Sequence, residues 1–143
     1  QGHRLDHCNT DDRHIDHGRA AELVKHAAFL SGLRKIETVC EGEIQEAWRP
    51  KAVYHYIQDK DLEPTFLIDI SNEFEQRMNA VMAYRSQFHE STSNEPQTYI
   101  STPEFIEALK GRFLLWGKRI GVKYAEGFIS NKTIGVNGFD VLS

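Results

Sequence analysis

Apolar residues along this chain recur at two different spacings, and the switches between them mark its elements. From Arg19 onward Ala20, Leu23, Val24, Ala27 and Leu30 repeat every three or four residues. This predicts a helix with that face inward and Gly32 as the left-handed residue at its end. Between Glu37 and Arg49 the pattern fades into Glu, Gly and Gln, and Pro50 stops any helix, so this stretch reads as a surface loop. Ala52 to Ile57 then alternates, with Val53, His55 and Ile57 on one side and Tyr54 and Tyr56 on the other, the signature of a strand. Thr65 to Ile70 is a second strand, and the pair suggests a hairpin or an antiparallel edge. Ser71 is placed to cap a helix that buries Phe74, Met78, Val81 and Met82. His89 to Ser101, rich in Ser, Thr, Asn and Glu, is a loop long enough to border a site. Thr102-Pro103-Glu104 opens a final helix, Thr as cap and Pro in the first turn, whose apolar face is Ile106, Leu109, Phe113, Trp116 and Ile120, ending at Gly121.

Strands and helices interspersed in this way predict an α/β fold in one domain spanning 1–143. A 143-residue chain with 40% hydrophobic and 27% charged residues has the composition of a globular protein. The formal charge of −4, with basic residues scattered, gives no footprint for nucleic acid, and no apolar run reaches membrane-spanning length. Cys8 and Cys40 lack close spacing, which favours free thiols, read as half-buried small hydrophobes, in a reducing cytoplasm. Residues 1–7 read as a foreign or disordered lead-in.

The densest chemistry is Asp11-Asp12-Arg13-His14-Ile15-Asp16-His17, directly before the first helix. Two imidazoles three residues apart at a loop-to-helix junction can point to one centre, with Asp16 between them to orient a ring; a catalytic zinc site needs three protein ligands and a water. The same cluster is equally suited to a plain N-cap, with Asp16 accepting a backbone N–H. His3 and His7, at helical spacing beside Cys8, offer a further metal reading when joined to His17.

The run Asp12 to Ala21 resembles the second signature of the LmbE-like (PIG-L) zinc-dependent de-N-acetylases, an H-x-D-H motif. The similarity continues through Phe29 to Lys35, Trp48 to Tyr56, Ala83 to Phe88 and Gly121 to Phe128, in the order found in the bacillithiol-pathway branch, the N-acetylglucosaminyl-malate deacetylases. The resemblance implies the C-terminal part of a Rossmann-like three-layer sandwich, a Zn(2+) cofactor, a small amino-sugar conjugate as substrate and a homo-oligomer in the complete enzyme. It makes His17 the zinc ligand, His14 the catalytic residue that stabilises the oxyanion or donates a proton, and Asp16 the group that orients a ring. Arg13 would hold the malate carboxylates, or else pair with Asp11 or Asp12. His55 moves toward the pocket, although a histidine in a strand also serves as a hydrogen-bonded core residue; Glu126 becomes an anchor at the pocket rim, or else forms a surface ion pair. The family's first signature, A-H-P-D-D, which carries the other zinc ligands and the general base, does not occur in this sequence. The expectation is therefore a deacetylase portion inactive alone, with a non-catalytic binding module as the alternative.

Overall fold

The computed structural model describes residues 4–8, 14–83, 100 and 102–141. In chain order the elements are β1 (Arg4–Cys8), α1 (Ile15–Leu30), β2 (Thr38–Cys40), β3 (Glu43–Gln45), β4 (Ala52–Tyr56), β5 (Phe66–Asp69), α2 (Phe74–Met82), α3 (Pro103–Arg119) and β6 (Ala125–Ser130), followed by a short 3-10 turn at Phe139–Val141. Four strands form one sheet in the order β1-β4-β6-β5, and β2 pairs with β3 apart from it. β1 runs parallel to β4, with His7 opposite His55, and β4 runs antiparallel to β6, with His55 opposite Ile129. The fold is thus α/β with a mixed sheet. Arg4 to His7 lie inside β1, so His7 sits in a strand and not in the helix its spacing from His3 would need. Two compact units divide the chain, residues 1–66 with 127–143 and residues 67–126.

In the first unit α1 packs on β1 and β4. It starts four residues earlier than the apolar spacing suggested and buries Ala21 and Ala28 instead of the expected stripe, leaving Leu23 69% exposed and Leu30 exposed as well. Small side chains let the helix lie close to the sheet; the bulky ones, with apolar residues on every side of this helix, end up outside. Gly32 is not left-handed, and the helix ends at Ser31. The tail of α1 clamps the approach to β4: Trp48 N–H donates to Ser31 O at 2.8 Å, and the Arg49 guanidinium donates to Phe29 O and lies 5.1 Å from the Phe29 ring centre. The stretch predicted as loop contains the β2–β3 hairpin, closed by Glu41 and Gly42, both at positive φ (53° and 85°). Two consecutive left-handed residues make the turn whose twist matches paired strands, and glycine lowers its cost. Cys40 is exposed on this hairpin, not half-buried. β4 keeps the predicted alternation, with His55 and Ile57 buried, while Tyr54 meets Phe66 edge-on and Phe66 stacks on Phe128. β4 and β5 do not form a hairpin, because β6 lies between them.

The second unit is built on α3. Thr102 Oγ1 accepts from Phe105 N–H, Pro103 occupies the first turn, Lys118 and Arg119 face the negative end of the helix dipole, and Gly121 follows at φ 74°. Leu109, Phe113 and Trp116 are buried, with Phe74 edge-on to Phe113 and stacked on Tyr124 at 3.6 Å. Of the residues expected inward on α2, Met78 is buried and Met82 is exposed. Ser71 does not cap α2; its hydroxyl and N–H both donate to Asp69 Oδ1, at 2.6 and 2.9 Å, and its oxygen accepts from Tyr124 N–H.

Candidate functional site

The parallel β1–α1–β4 unit places the N-terminus of α1 after the carboxyl end of β1, the edge where open α/β sheets carry their sites. His14 occupies the cap position of α1. Its extended backbone (φ −90°, ψ 129°) turns the side chain back over the first turn, where Nδ1 accepts from Asp16 N–H at 3.2 Å, and its carbonyl accepts from His17 N–H. The cap is therefore His14, not Asp16, and it sets the chemistry of the ring. With Nδ1 accepting, a neutral imidazole carries its proton on Nε2, the far side of the ring, as a hydrogen-bond donor. Asp16 Oδ2 lies 3.7 Å from the same Nδ1, so a protonated ring would instead find a carboxylate there. Asp16 also faces Arg19 at 3.9 Å, one turn along.

His17 lies beside His14, ring centres 5.3 Å apart and planes tilted by 42°. This spacing would set the His14 ring beside a metal held by His17. Both rings stand at the positive end of α1, which favours an anion or a developing oxyanion. Next to them is a shallow depression of about 610 Å³ lined by His14, Ile15, Gly18, Arg19, Glu22, Leu23 and His26. His17 is not in its wall. Among the described residues no group of three His, Cys, Asp or Glu side chains could hold a metal ion. His17 fits as one member of a zinc ligand set, and the described residues do not complete that set.

Arg13 falls outside the described residues, as does most of the loop expected from His89 to Ser101. His55 is 3% exposed in β4, with Nε2 3.3 Å from the side-chain amide of Asn131. Glu126 belongs to the second unit, where its Oε1 accepts from Arg77 Nη2 at 3.1 Å and Nε at 3.3 Å, with that guanidinium over the Phe113 ring. The structure thus brings together His14, Asp16 and His17 of the predicted set. Sequence reasoning missed Arg19, which reaches both Asp16 and the depression; its position one turn after Asp16 was the available signal. It also missed Asn131, whose partnership with His55 spans 76 positions and leaves no local trace.

No protein-family profile matches the sequence. Among solved structures the chain is similar to a conserved protein of Thermus thermophilus, with 33% identity and a TM-score of 0.74 over 93% of this chain and 53% of that one. It is also similar to an N,N′-diacetylchitobiose deacetylase of Pyrococcus horikoshii, with 19% identity, a TM-score of 0.64 and coverage of 87% and 44%. A 4-carboxy-2-hydroxymuconate hydratase of Pseudomonas putida matches with 16% identity, a TM-score of 0.63 and coverage of 94% and 53%. The chain spans about half the length of these proteins. What it shares with the latter two is the fold, which in one carries a deacetylase and in the other a hydratase.

Proposed function

We propose that this chain is the C-terminal portion of a Rossmann-like, three-layer LmbE-type N-deacetylase that removes the acetyl group from an amino-sugar conjugate, N-acetylglucosaminyl-malate being the substrate the sequence favours. The observation that carries the reading is the His14–His17 pair, two imidazoles 5.3 Å apart at the head of α1. The fold shared with a diacetylchitobiose deacetylase supports it. His17 would hold zinc together with ligands from the rest of the protein; when bound, the metal supplies Lewis-acid polarisation of water and of the acetyl carbonyl. This chain's own contribution is electrostatic. His14, its Nδ1 tied to the backbone of Asp16, presents Nε2–H where negative charge develops on the carbonyl oxygen, and the α1 dipole reinforces that donor. Asp16 and Arg19 hold the first turn in register, and Arg13 offers a fork for the malate carboxylates.

The test is acetate release from N-acetylglucosaminyl-malate and from simpler N-acetyl amino sugars. It compares this chain alone with the chain joined to the preceding portion of a fold of this kind. Alone it should show no turnover. Joined, it should turn over only with zinc. His17→Ala should abolish zinc retention, and His14→Ala should lower kcat by about 10²–10³ with zinc still bound. Failure of the joined, zinc-loaded protein to release acetate from any of these substrates refutes the reading. A second reading, a non-catalytic binding module, draws on the incomplete metal-binding set among the described residues. Metal analysis of the joined protein separates the two, since a module retains no stoichiometric zinc.

A further inference from the structure

The depression beside His14 continues along the outer face of α1, past Arg19 and Glu22 to His26. At about 610 Å³ it has the size of a small-molecule site. Its wall is not uniformly polar: Ile15 and Leu23, 64% and 69% exposed, stand between the charged groups and offer apolar surface of the kind that the C–H face of a sugar ring covers.

Arg19 holds the one guanidinium that the described residues give this wall, and its surroundings leave it available. Its side chain is exposed, and Asp16 Oδ1, at 3.9 Å, is an ion-pair partner beyond hydrogen-bond distance. Glu22 sits three residues on, a spacing at which opposite charges on a helix commonly pair. Instead Glu22 faces Lys25 and His26, each at 3.8 Å and each toward the C-terminal end of α1. Arg19 therefore leans to the head of the helix, where the dipole favours an anion. It follows His14 by five residues, about 7.5 Å along the axis at about 1.5 Å per residue. That offset suits a ligand whose acetamido group and carboxylate lie on neighbouring substituents of one small conjugate.

Resting on the deacetylase reading above, we propose that Arg19 is a specificity-determining residue, its guanidinium receiving a carboxylate on the substituent joined to the amino sugar. The acetamido group then lies at His14 and the sugar rests on Ile15 and Leu23. A planar fork of N–H donors is matched to a carboxylate, and a loosely held guanidinium gives up little to bind one. Glu22, one turn further on, repels an anion placed beyond Arg19 and so confines the carboxylate to that position. A dicarboxylate arm has two such groups, so this fork adds to the one assigned to Arg13.

The chain alone is expected not to turn over, so the substrate itself can be titrated into it. The experiment follows backbone amide NMR shifts of the full chain with N-acetylglucosaminyl-malate and with the uncharged methyl glycoside of N-acetylglucosamine, each up to about 20 mM, in about 0.05 M salt. The malate conjugate should bind at least about tenfold more tightly, with shifts spreading from His14 to Leu23. Arg19→Gln should weaken its binding about tenfold and erase the preference, and Arg19→Lys, which keeps the charge without the fork, should recover part of it. Loss of the Asp16 contact alone would weaken both ligands alike, so the ratio of the two dissociation constants reports the role. Equal affinities in the unaltered chain, binding of neither ligand, or a preference that survives Arg19→Gln overturns the proposal. Selective, Arg19-dependent binding with no acetate release from the joined protein would keep the subsite and remove the deacetylase reading. Acetate release with a preference indifferent to Arg19 would do the reverse.

Discussion

α1 and α3 are nearly the same length, 16 and 17 residues, yet they are built for different work. α3 carries several stabilising features of a helix: a Thr cap, Pro in the first turn, large apolar side chains buried at Leu109, Phe113 and Trp116, and basic residues in the last turn. α1 is capped by an imidazole, has no basic residue in its last turn and fixes itself to the sheet through two alanines while its larger apolar residues point outward. The difference shows two ways of anchoring a helix, through large apolar side chains in α3 and through small ones in α1. α1 carries His14 in its cap position and is anchored by close backbone approach at Ala21 and Ala28.

The largest expected effect tests the anchoring side. Phe113, 1% exposed, touches Phe74 and Trp116, and Phe113→Ala should cost about 3–5 kcal/mol in denaturant unfolding, whereas Leu23→Ala on the outside of α1 should change stability by less than about 0.5 kcal/mol. Comparable losses at the two positions would erase the contrast. Next comes Gly117. A Cβ there would sit 2.6 Å from Lys123 O and 2.8 Å from Val122 O, both backbone atoms that cannot swing aside, so Gly117→Ala should lose about 1–3 kcal/mol despite the better helix propensity of alanine. A neutral or raised melting temperature would show that the turn after α3 yields.

Smaller still is the cap of α1. His14→Ala removes the acceptor for Asp16 N–H and should cost about 0.5–1 kcal/mol, while His14→Asn, a good cap, should restore the stability without restoring acetate release in the joined protein. If asparagine recovers activity too, the ring acts through the helix and not on the substrate. The smallest effect is confined to acid. Two hydrogen bonds from Ser71 lower the Asp69 pKa below its usual 3.8. A depressed folded-state value means that the carboxylate stabilises the fold above the ordinary carboxylate range and that this contribution is lost as pH falls through the lowered value. Ser71→Ala should therefore reduce stability at neutral pH and flatten its dependence below about pH 4, read by thermal melts across that range; a dependence as steep as that of the unaltered chain would show the turn to be electrostatically idle.

The local chemistry of single elements was readable along the chain. Thr102-Pro103 starts α3, the alternation through His55 and Ile57 makes β4, and the crowding of His14, Asp16 and His17 marks the start of α1, where those side chains gather, because capping, pleat alternation and i, i+3 spacing are properties of neighbours in sequence. Elements whose inward face depends on what they meet were not readable. Leu23 and Leu30 carried the right period for a buried stripe on α1, but the sheet took Ala21 and Ala28. Ser71 had the right side chain for a cap and was drawn to Asp69 and Tyr124. The Glu41-Gly42 turn sat in a stretch too polar to suggest strands.

By itself, then, the sequence determined which segments could be helix or strand and which few side chains could carry chemistry, since both follow from residue type and short-range spacing. Tertiary structure alone decided that β6 separates β4 from β5, that His55 meets Asn131 and Glu126 meets Arg77, and which face of α1 looks inward. Each of these is a contest between distant surfaces for the same partner, settled by fit and burial, and no local pattern records the loser.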